Sequence, residues 1–163
     1  MLSVAQVDRT GNGNVGKFGG RIDGIGGFVN IWQGAERLVF VGTLKAGKQR
    51  IRVEASGIAV EQEAAVAKFV SRVEQISFSG DYAKRWNVPV TYVTERAVME
   101  LQEDGMVLTE VAPGLDLERD VFQQMDFRPR RSPELKLMDL RLFGAATMGL
   151  QLASRPANPE GPA

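Results

Sequence analysis

Two glycine clusters near the start of the chain are the first residues whose spacing could support chemistry. The stretch GNGNVGKFGG (11–20) matches the dinucleotide-binding pattern G-x-G-x-x-G from Gly11 to Gly16, and it matches the P-loop pattern as far as Lys17. Both patterns require a helix directly after the glycines, so that its N-terminus faces a phosphate. The residues that follow, FGGRIDGIGGF, are too rich in glycine to begin a helix, because each interior glycine costs about 1 kcal/mol relative to alanine. Phe18 also stands where a P-loop has Ser or Thr, and we predict no phosphate site here.

The second cluster, GIGGF (24–28), permits a different use. Glycine lets the backbone approach a ligand closely and adopt conformations in which N–H groups point outward. Two adjacent N–H groups that converge on one point form an oxyanion hole, which stabilises the negative charge of a transition state. The spacing alone favours a tight turn between strands, because Gly-Gly turns are common. Both interpretations stay open at this level.

Composition narrows the possible chemistry further. The chain of 163 residues has no cysteine and no histidine, and its 20 basic residues balance its 20 acidic residues. Thiolate nucleophiles, cysteine-based zinc sites, imidazole bases and the Ser-His-Asp triad are therefore excluded. The balanced charge and the lack of a long apolar run favour a cytoplasmic protein that binds neither nucleic acid nor membrane. We expect no metal site.

Alternating apolar residues and β-forming residues predict a domain rich in strands. The predicted strands cover residues 2–7, 36–44, 49–55, 73–80 and 88–95. The turn KAGK (45–48) predicts that 36–44 and 49–55 form one hairpin. The segments AVMEL and MVLTEV flank Glu103-Asp104-Gly105 and predict a second hairpin.

Three helices are predicted from their start signals. Ser79 and Asp116 are candidate N-caps, and Pro133 is suited to a first helical turn. The predicted helices cover residues 80–86, 116–125 and 132–143. The small, proline-rich residues 151–163 are expected to be disordered, which leaves one domain over residues 1–150.

Several blocks of the sequence, taken together, resemble one family. These blocks are GNVGKFGGRIDGIGGFVNI, VEQISFSGDYA, VPVTYVTERAVMEL, GMVLTEVAPGLDLERDV, QMDFRP and LKLMDLRLF. They resemble, in the same order, the C-terminal part of the β-type half of the family I coenzyme A (CoA) transferases, the acetate and 3-oxoacid type. The resemblance covers roughly residues 3 to 143.

This resemblance implies an α/β fold, an open mixed sheet with flanking helices, with the glycine loop at the edge of the active site. It also implies a ping-pong reaction, in which an enzyme glutamate attacks an acyl-CoA thioester and is then converted to a glutamyl-CoA thioester. Each attack creates a tetrahedral oxyanion, which preorganised N–H donors stabilise. The family's oxyanion motif G-x-G-G-F falls on GIGGF, so the resemblance assigns the oxyanion hole to the backbone N–H groups of Gly26 and Gly27.

Five further residues are candidates for contact with the substrate or CoA. Gly24 and Phe28 belong to the same motif in the resemblance. Asn30 and Gln33 follow the loop, where they could orient a substrate carboxylate or hold the loop by hydrogen bonds, and we favour the structural role. Lys45 lies on a predicted turn where it could meet the CoA phosphates, although most lysines simply face water. Glu95 and Arg96 are predicted to form an ion pair at the sheet rim, which contributes little if it is exposed.

The nucleophilic glutamate of the family lies in an E-x-G element upstream of the glycine loop, and this chain starts after it. Neither Glu103, in a predicted turn, nor Glu160, in the tail, replaces it. The resemblance therefore implies a C-terminal segment that is inactive alone and needs the upstream, α-type half of the same enzyme. Acyl-CoA and short-chain carboxylates would be the substrates, in ketone-body or short-chain acid metabolism, with CoA as a substrate and no cofactor. The alternative is a non-catalytic remnant that acts as a scaffold or as an acyl-CoA-binding partner subunit. We also expect a homo-oligomer.

Overall fold

The computed structural model describes residues 1–151. The tail that the sequence predicts to be disordered therefore lies outside the described residues from position 152 onward. Among the residues described, no helix is long and apolar enough to cross a membrane.

Short strands dominate the described part of the chain, and three short α-helices connect them. The helices are α1 (Phe28–Gln33), α2 (Gly80–Arg85) and α3 (Leu117–Asp120). The strands are β1 (Gln6–Asp8), β2 (Gly13–Asn14), β3 (Lys17–Phe18), β4 (Arg21–Ile22), β5 (Leu38–Val41), β6 (Lys45–Ala46), β7 (Arg50–Glu54), β8 (Gly57–Gln62), β9 (Val66–Ala67), β10 (Phe69–Val70), β11 (Val90–Val93), β12 (Ala97–Gln102), β13 (Gly105–Val111) and β14 (Arg130–Leu137).

The largest sheet has five strands in the order β14-β13-β12-β11-β5. Strands β5 and β11 pair in parallel, with Phe40 opposite Tyr92, and β12 and β13 form the hairpin predicted around Glu103-Asp104-Gly105. Aromatic side chains join this sheet to the rest of the core, because Phe40 stacks on Tyr92 at 5.2 Å between ring centroids and packs against Phe78 at 5.1 Å. The predicted α/β class with a mixed sheet is confirmed.

Smaller sheets surround this one. Strands β10, β1 and β2 form a three-stranded sheet, and β3–β4, β6–β9 and β7–β8 are two-stranded. The predicted strand at 73–80 is wrong, because that segment contributes only an isolated bridge between Phe78 and Gly13. The predicted strand at 2–7 is reduced to β1 and a bridge from Leu2 to Phe40.

The predicted hairpin between residues 36–44 and 49–55 is also wrong. Strand β5 pairs with the distant β11 instead, and β7 forms its hairpin with β8, where Glu54 lies opposite Gly57. Gly57 makes this turn possible, since its φ of 133° is a conformation that other residues rarely adopt. A side chain there would also collide with the carbonyl oxygen of Pro113, 2.0 Å from the position of a Cβ atom.

The predicted helix at 132–143 is wrong over its first part, where strand β14 forms instead, and only Leu140–Phe143 is helical, as a short 3-10 turn. Strand β14 runs parallel to β13, and the pairing shifts register between Leu108 and Glu110. Pro133 lies in the shifted stretch, where its missing N–H leaves no ladder bond unmade. The pairing covers the edge of β13, which a helix would have left exposed, and this long-range gain outweighs the local preference.

The other two helices were predicted with their caps. Helix α2 begins after Ser79, whose hydroxyl oxygen accepts a hydrogen bond from the Tyr82 N–H at 3.2 Å. Asp116 caps α3 in the same way through the Arg119 N–H, at 2.7 Å. The predicted helix at 116–125 is broken after Asp120, and a 3-10 turn follows at Phe122–Gln124.

Candidate functional site

The GIGGF loop leaves two adjacent backbone N–H groups without a partner. Within residues 1–151, neither Gly26 nor Gly27 donates a hydrogen bond from its backbone nitrogen. Both residues are exposed, and a Cβ atom at either position would meet nothing within 4 Å. Because both residues are exposed, water can satisfy these N–H groups and a ligand can take its place. The loop can therefore present two donors to an anion or to a developing negative charge.

Glycine is required at the start of this loop because of its backbone conformation. Gly24 and Gly26 have φ values of 84° and 50°, in the left-handed region that favours glycine. Gly27 has a φ of −83° and precedes α1 directly. The Phe28 N–H closes the turn by donating to the Ile25 carbonyl oxygen at 3.1 Å.

A buried asparagine fixes the approach to this loop from the N-terminal side. The side-chain amide of Asn14 donates to the Lys17 carbonyl oxygen at 2.6 Å, and its oxygen accepts from the Gly16 N–H at 3.1 Å. Gly16 then packs directly on the loop, since a Cβ atom there would lie 2.7 Å from the Ile25 side chain and 3.0 Å from the Gly24 carbonyl oxygen. The hairpin β3–β4 is thereby coupled to the loop by close packing.

The other glycine pair, Gly19 and Gly20, has its N–H groups occupied. Gly19 donates to one carboxylate oxygen of Glu74 at 2.9 Å, and Gly20 donates to the other at 3.4 Å. The hydrogen bond from Gly19 is the largest cause that lowers the pKa of Glu74. The exposed Glu74 carboxylate thus holds the tip of the β3–β4 hairpin by hydrogen bonds from another part of the chain.

Helix α1 is anchored by the two aromatic residues that it buries. Phe28 is buried, and its ring lies 6.2 Å from the ring of Phe40. The Trp32 indole N–H donates to the Ser77 carbonyl oxygen at 3.1 Å, and its ring meets Phe78 edge-on at 5.2 Å. The side chain of Phe28 therefore holds the loop against the core, and its role in substrate binding stays a prediction.

Three candidate residues remain, two on α1 and one in β6. Asn30 and Gln33 are exposed on α1, and within residues 1–151 neither side chain forms a hydrogen bond. Lys45 lies in β6, away from the exposed turn that the sequence suggested, and its ammonium donates to the Gln124 side-chain oxygen at 2.9 Å. The binding roles of these three residues stay predictions.

Arg96 forms a more extensive buried network than the sequence predicted. Its side chain is 0% exposed and donates to both carboxylate oxygens of Glu63, at 2.7 and 2.9 Å. It also donates to Glu95 at 3.0 Å and to the Asp120 carbonyl oxygen at 3.0 Å. Burial lowers the pKa of Arg96, but the Glu63 and Glu95 carboxylates outweigh that effect and raise it overall.

The predicted ion pair between Glu95 and Arg96 is confirmed. The small contribution expected of an exposed pair does not apply, because the Arg96 side chain is buried. Hydrophobic patterns in the sequence do not indicate that Glu63, Glu95 and Asp120 meet around one arginine. These residues are remote from one another in the chain, so local signals could not predict the network. The buried guanidinium joins the β11–β12 turn to Glu63, directly after β8, and to Asp120 at the end of α3. The Glu95 carboxylate extends this network to the loop after β5 by accepting from the Leu44 N–H.

Comparison with known proteins gives a consistent set of relatives. No family model matches the chain. It is 47% identical over 151 residues to the acetate CoA-transferase YdiF of Escherichia coli K12. The matched region covers 93% of this chain and 28% of that protein. It is 41% identical over 155 residues to the caffeate CoA-transferase of Acetobacterium woodii, covering 92% of this chain and 29% of the relative. The chain thus spans less than a third of the length of these curated relatives.

Solved structures agree with the sequence comparison. The crystal structure of the acyl-CoA transferase YdiF apoenzyme from Escherichia coli O157:H7 superposes with a TM-score of 0.90 at 47% identity, over 93% of this chain and 29% of that one. A thioester complex of the same enzyme with CoA gives the same TM-score and covers 30% of the solved chain. Glutaconate CoA-transferase from Acidaminococcus fermentans, at 16% identity and a TM-score of 0.56, shares the fold.

Proposed function

We propose that this chain, a partial sequence of the family I coenzyme A transferases, supplies their oxyanion-binding loop. In this proposal the enzyme transfers CoA between an acyl-CoA and a carboxylic acid. The chain contributes the backbone N–H groups of Gly26 and Gly27, and the nucleophilic glutamate comes from the upstream part of the enzyme. Acyl-CoA, short-chain carboxylates and the upstream α-type half are the partners that this role requires.

One observation carries this proposal. The G-x-G-G-F motif, which the family resemblance assigns to the oxyanion hole, is also the place where two adjacent N–H groups have no partner within residues 1–151. Both residues are exposed, so water can satisfy these N–H groups in the free chain, and an oxyanion can replace that water without breaking a bond within the protein. The motif and the free donors point to the same use.

In the proposed reaction the glutamate carboxylate attacks the thioester carbonyl carbon, and the carbonyl oxygen becomes an oxyanion. Collapse of this intermediate expels CoA thiolate and leaves an acyl-glutamyl anhydride. The thiolate then attacks the glutamyl carbonyl, which releases the carboxylate product and leaves an enzyme–CoA thioester. A second carboxylate reverses these steps. Each oxyanion would accept hydrogen bonds from Gly26 and Gly27, and one such donor contributes roughly 3 to 4 kcal/mol in a dry site.

The loop is suited to this task because it is held from two sides. Gly16 packs against Gly24 and Ile25 on one side, and Phe28 and Trp32 fix α1 to the core on the other. Donors that are already in place lose little free energy to reorganisation when charge develops. The exposed glutamate in the β12–β13 turn, Glu103, lies in a hairpin of the main sheet and has no such loop beside it in sequence.

The proposal is tested with a chimera. This chain replaces the matched segment of the Escherichia coli acetate CoA-transferase, and CoA transfer from an acyl-CoA to acetate is compared with that of the 163-residue chain alone. We expect the chimera to turn over and to form a CoA thioester that borohydride traps, and the isolated chain to do neither. Robust transfer by the isolated chain would show that its nucleophile lies within the chain. A well-folded chimera without activity would favour the non-catalytic remnant instead.

A further inference from the structure

A row of aromatic rings leads from the core to the surface beside the glycine loop. Phe40 packs against Phe78 at 5.1 Å between ring centroids, and Trp32 of α1 meets Phe78 edge-on at 5.2 Å. The Tyr82 ring lies 5.4 Å from that of Trp32, and the Trp86 ring lies 6.0 Å from that of Tyr82. The row ends at solvent, because Trp86 is 64% exposed. An exposed indole that packs on its neighbours offers a partner a large apolar area at little cost in side-chain ordering.

Two isoleucines extend this exposed apolar area around the loop itself. Ile22 precedes Gly27 by five positions and Ile31 follows it by four, and their exposed fractions are 72% and 58%. The aromatic row meets α1 at Trp32, about 8 Å from Gly27 at the helical rise per residue. Single exposed apolar residues are ordinary, but a group of them around one feature marks an interaction surface. We call Ile22, Ile31, Tyr82 and Trp86 the loop-side surface.

The occupant of this surface follows from the proposed function, on which this inference rests. A carboxylate must come within about 3 Å of the thioester carbon that it attacks, and the oxyanion formed there must lie about 3 Å from the Gly26 and Gly27 N–H groups. The polypeptide that carries the nucleophilic glutamate therefore comes within several ångströms of the loop, where it must meet the residues that surround it. The matched region is only 28% of the Escherichia coli relative, so most of such an enzyme is available for this contact.

We propose that the loop-side surface is buried against the upstream part of the same enzyme, with Trp86 and Ile31 as its main anchors. Trp and Tyr are enriched among the residues that contribute most to binding at protein interfaces. Asn30 and Gln33, exposed on the same short helix as Ile31, can supply the uncharged polar rim that surrounds such a centre. A small anion gains little from apolar rings. A second copy of this chain would cover the same side chains but would bring no nucleophilic glutamate to the loop.

Hydroxyl-radical footprinting tests this burial. The 163-residue chain and the chimera with the Escherichia coli relative are oxidised under identical conditions, and mass spectrometry gives the rate at each tryptophan. In the chain alone, Trp86 should react about eightfold faster than Trp32, because their exposed fractions are 64% and 8%. In the chimera the two rates should become similar. An unchanged rate for Trp86 in a folded chimera would overturn the proposal, and so would protection that appears in the chain alone as its concentration rises, since a second copy would then be the occupant.

These rates do not depend on turnover, so the two proposals fail in different ways. Protection of Trp86 in an inactive chimera would support the surface and speak against the transferase role. A reactive Trp86 in an active chimera would do the reverse.

Two matched variants separate an interface from a general loss of stability. Ile31→Glu and Val53→Glu replace apolar side chains of nearly equal exposure, 58% and 60%, and Val53 lies on the β7–β8 hairpin, outside the loop-side surface. In the isolated chain both variants should leave the urea midpoint nearly unchanged. In the chimera Ile31→Glu should lower the melting temperature by several degrees, because its charge would be buried, whereas Val53→Glu should not. Failure of the Ile31→Glu chimera alone to fold counts as the same result, and equal effects of the two variants in the chimera would contradict the proposal.

Discussion

The two glycine pairs of the N-terminal loop have similar freedom and different uses. Gly19–Gly20 and Gly26–Gly27 are both exposed, and no atom lies near the position of a Cβ at any of the four. The first pair has its N–H groups bonded to Glu74, which lies 55 residues further along the chain from Gly19. The second pair has no such carboxylate within residues 1–151. The comparison shows that the rest of the fold decides the use of a glycine pair. A pair that faces a carboxylate of the same chain is held in place by it, whereas a pair that faces solvent keeps its N–H groups available to a ligand.

The largest effect that we expect comes from removing one free donor. Gly27→Pro eliminates the N–H at a φ of −83°, which is close to the value that proline requires. In the chimera with the Escherichia coli relative, CoA transfer should fall by about 100-fold to 1000-fold if this N–H stabilises the oxyanion. Gly27→Ala keeps the N–H and has open space for its Cβ atom, so it should retain activity within a few-fold. Equal losses in the two variants would mean that the loop is sensitive to shape and not to the donor.

A second effect should follow from disturbing the contact between Gly16 and the loop that carries Gly26 and Gly27. Gly16→Ala places a Cβ atom 2.7 Å from Ile25 and 3.0 Å from the Gly24 carbonyl oxygen. Overpacking of this kind costs roughly 1 to 3 kcal/mol, which urea unfolding measures as a lower midpoint. The Gly26 and Gly27 amide signals should shift in the same variant. Gly34→Ala is the control, since the nearest atom to its Cβ position is 4.0 Å away, and it should be neutral in both measurements.

A smaller effect is expected when the Gly19–Gly20 pair loses the Glu74 carboxylate that accepts its hydrogen bonds. Glu74→Gln leaves one oxygen to accept from Gly19 or Gly20 and turns an amide group toward the other N–H. Hydrogen exchange at Gly19 and Gly20 should become faster, while exchange at Gly26 and Gly27, already unprotected, should not change. Glu36→Gln alters an exposed glutamate that forms no side-chain hydrogen bond or ion pair among the residues described, and it should affect neither pair. Slower exchange at Gly26 and Gly27 than at Gly19 in the unmodified chain would contradict the comparison itself.

The smallest effect should appear as a pH dependence confined to one pair. The pKa of Glu74 is lowered, chiefly by the hydrogen bond from Gly19, so its contribution to stability is present above the unfolded glutamate pKa of about 4.3. That contribution is lost as the pH falls through the lower pKa of the folded state. Amide shifts of Gly19 and Gly20 should therefore stay constant down to the region of the unfolded pKa and change only below it. Titration of Gly26 and Gly27 with the same midpoint would indicate that the two pairs are not independent.

Local signals in the sequence predicted part of this structure. The Ser79 and Asp116 caps and the Glu103-Asp104-Gly105 hairpin were all found from residues near one another in the chain. The β14 strand was missed because its partner, β13, decides its conformation. The candidate site divides in the same way between local and long-range features. The G-x-G-G-F motif lies in one short stretch and was visible in the sequence. The anchoring by Glu74 and the network around Arg96 were not visible, because they join segments that are remote in the chain.

The parallel pairing of β5 with β11 also bears on the order of events in folding. Closing the chain between Leu38 and Val90 costs more loop entropy than forming the adjacent β12–β13 hairpin. We expect the hairpin to form in the transition state and the β5–β11 ladder to follow it. Truncating Leu108 of β13 should then slow refolding, whereas truncating Val90 should mainly accelerate unfolding, and chevron plots of Leu108→Ala and Val90→Ala distinguish the two. Strand β5 would then be the last strand of the main sheet to become ordered.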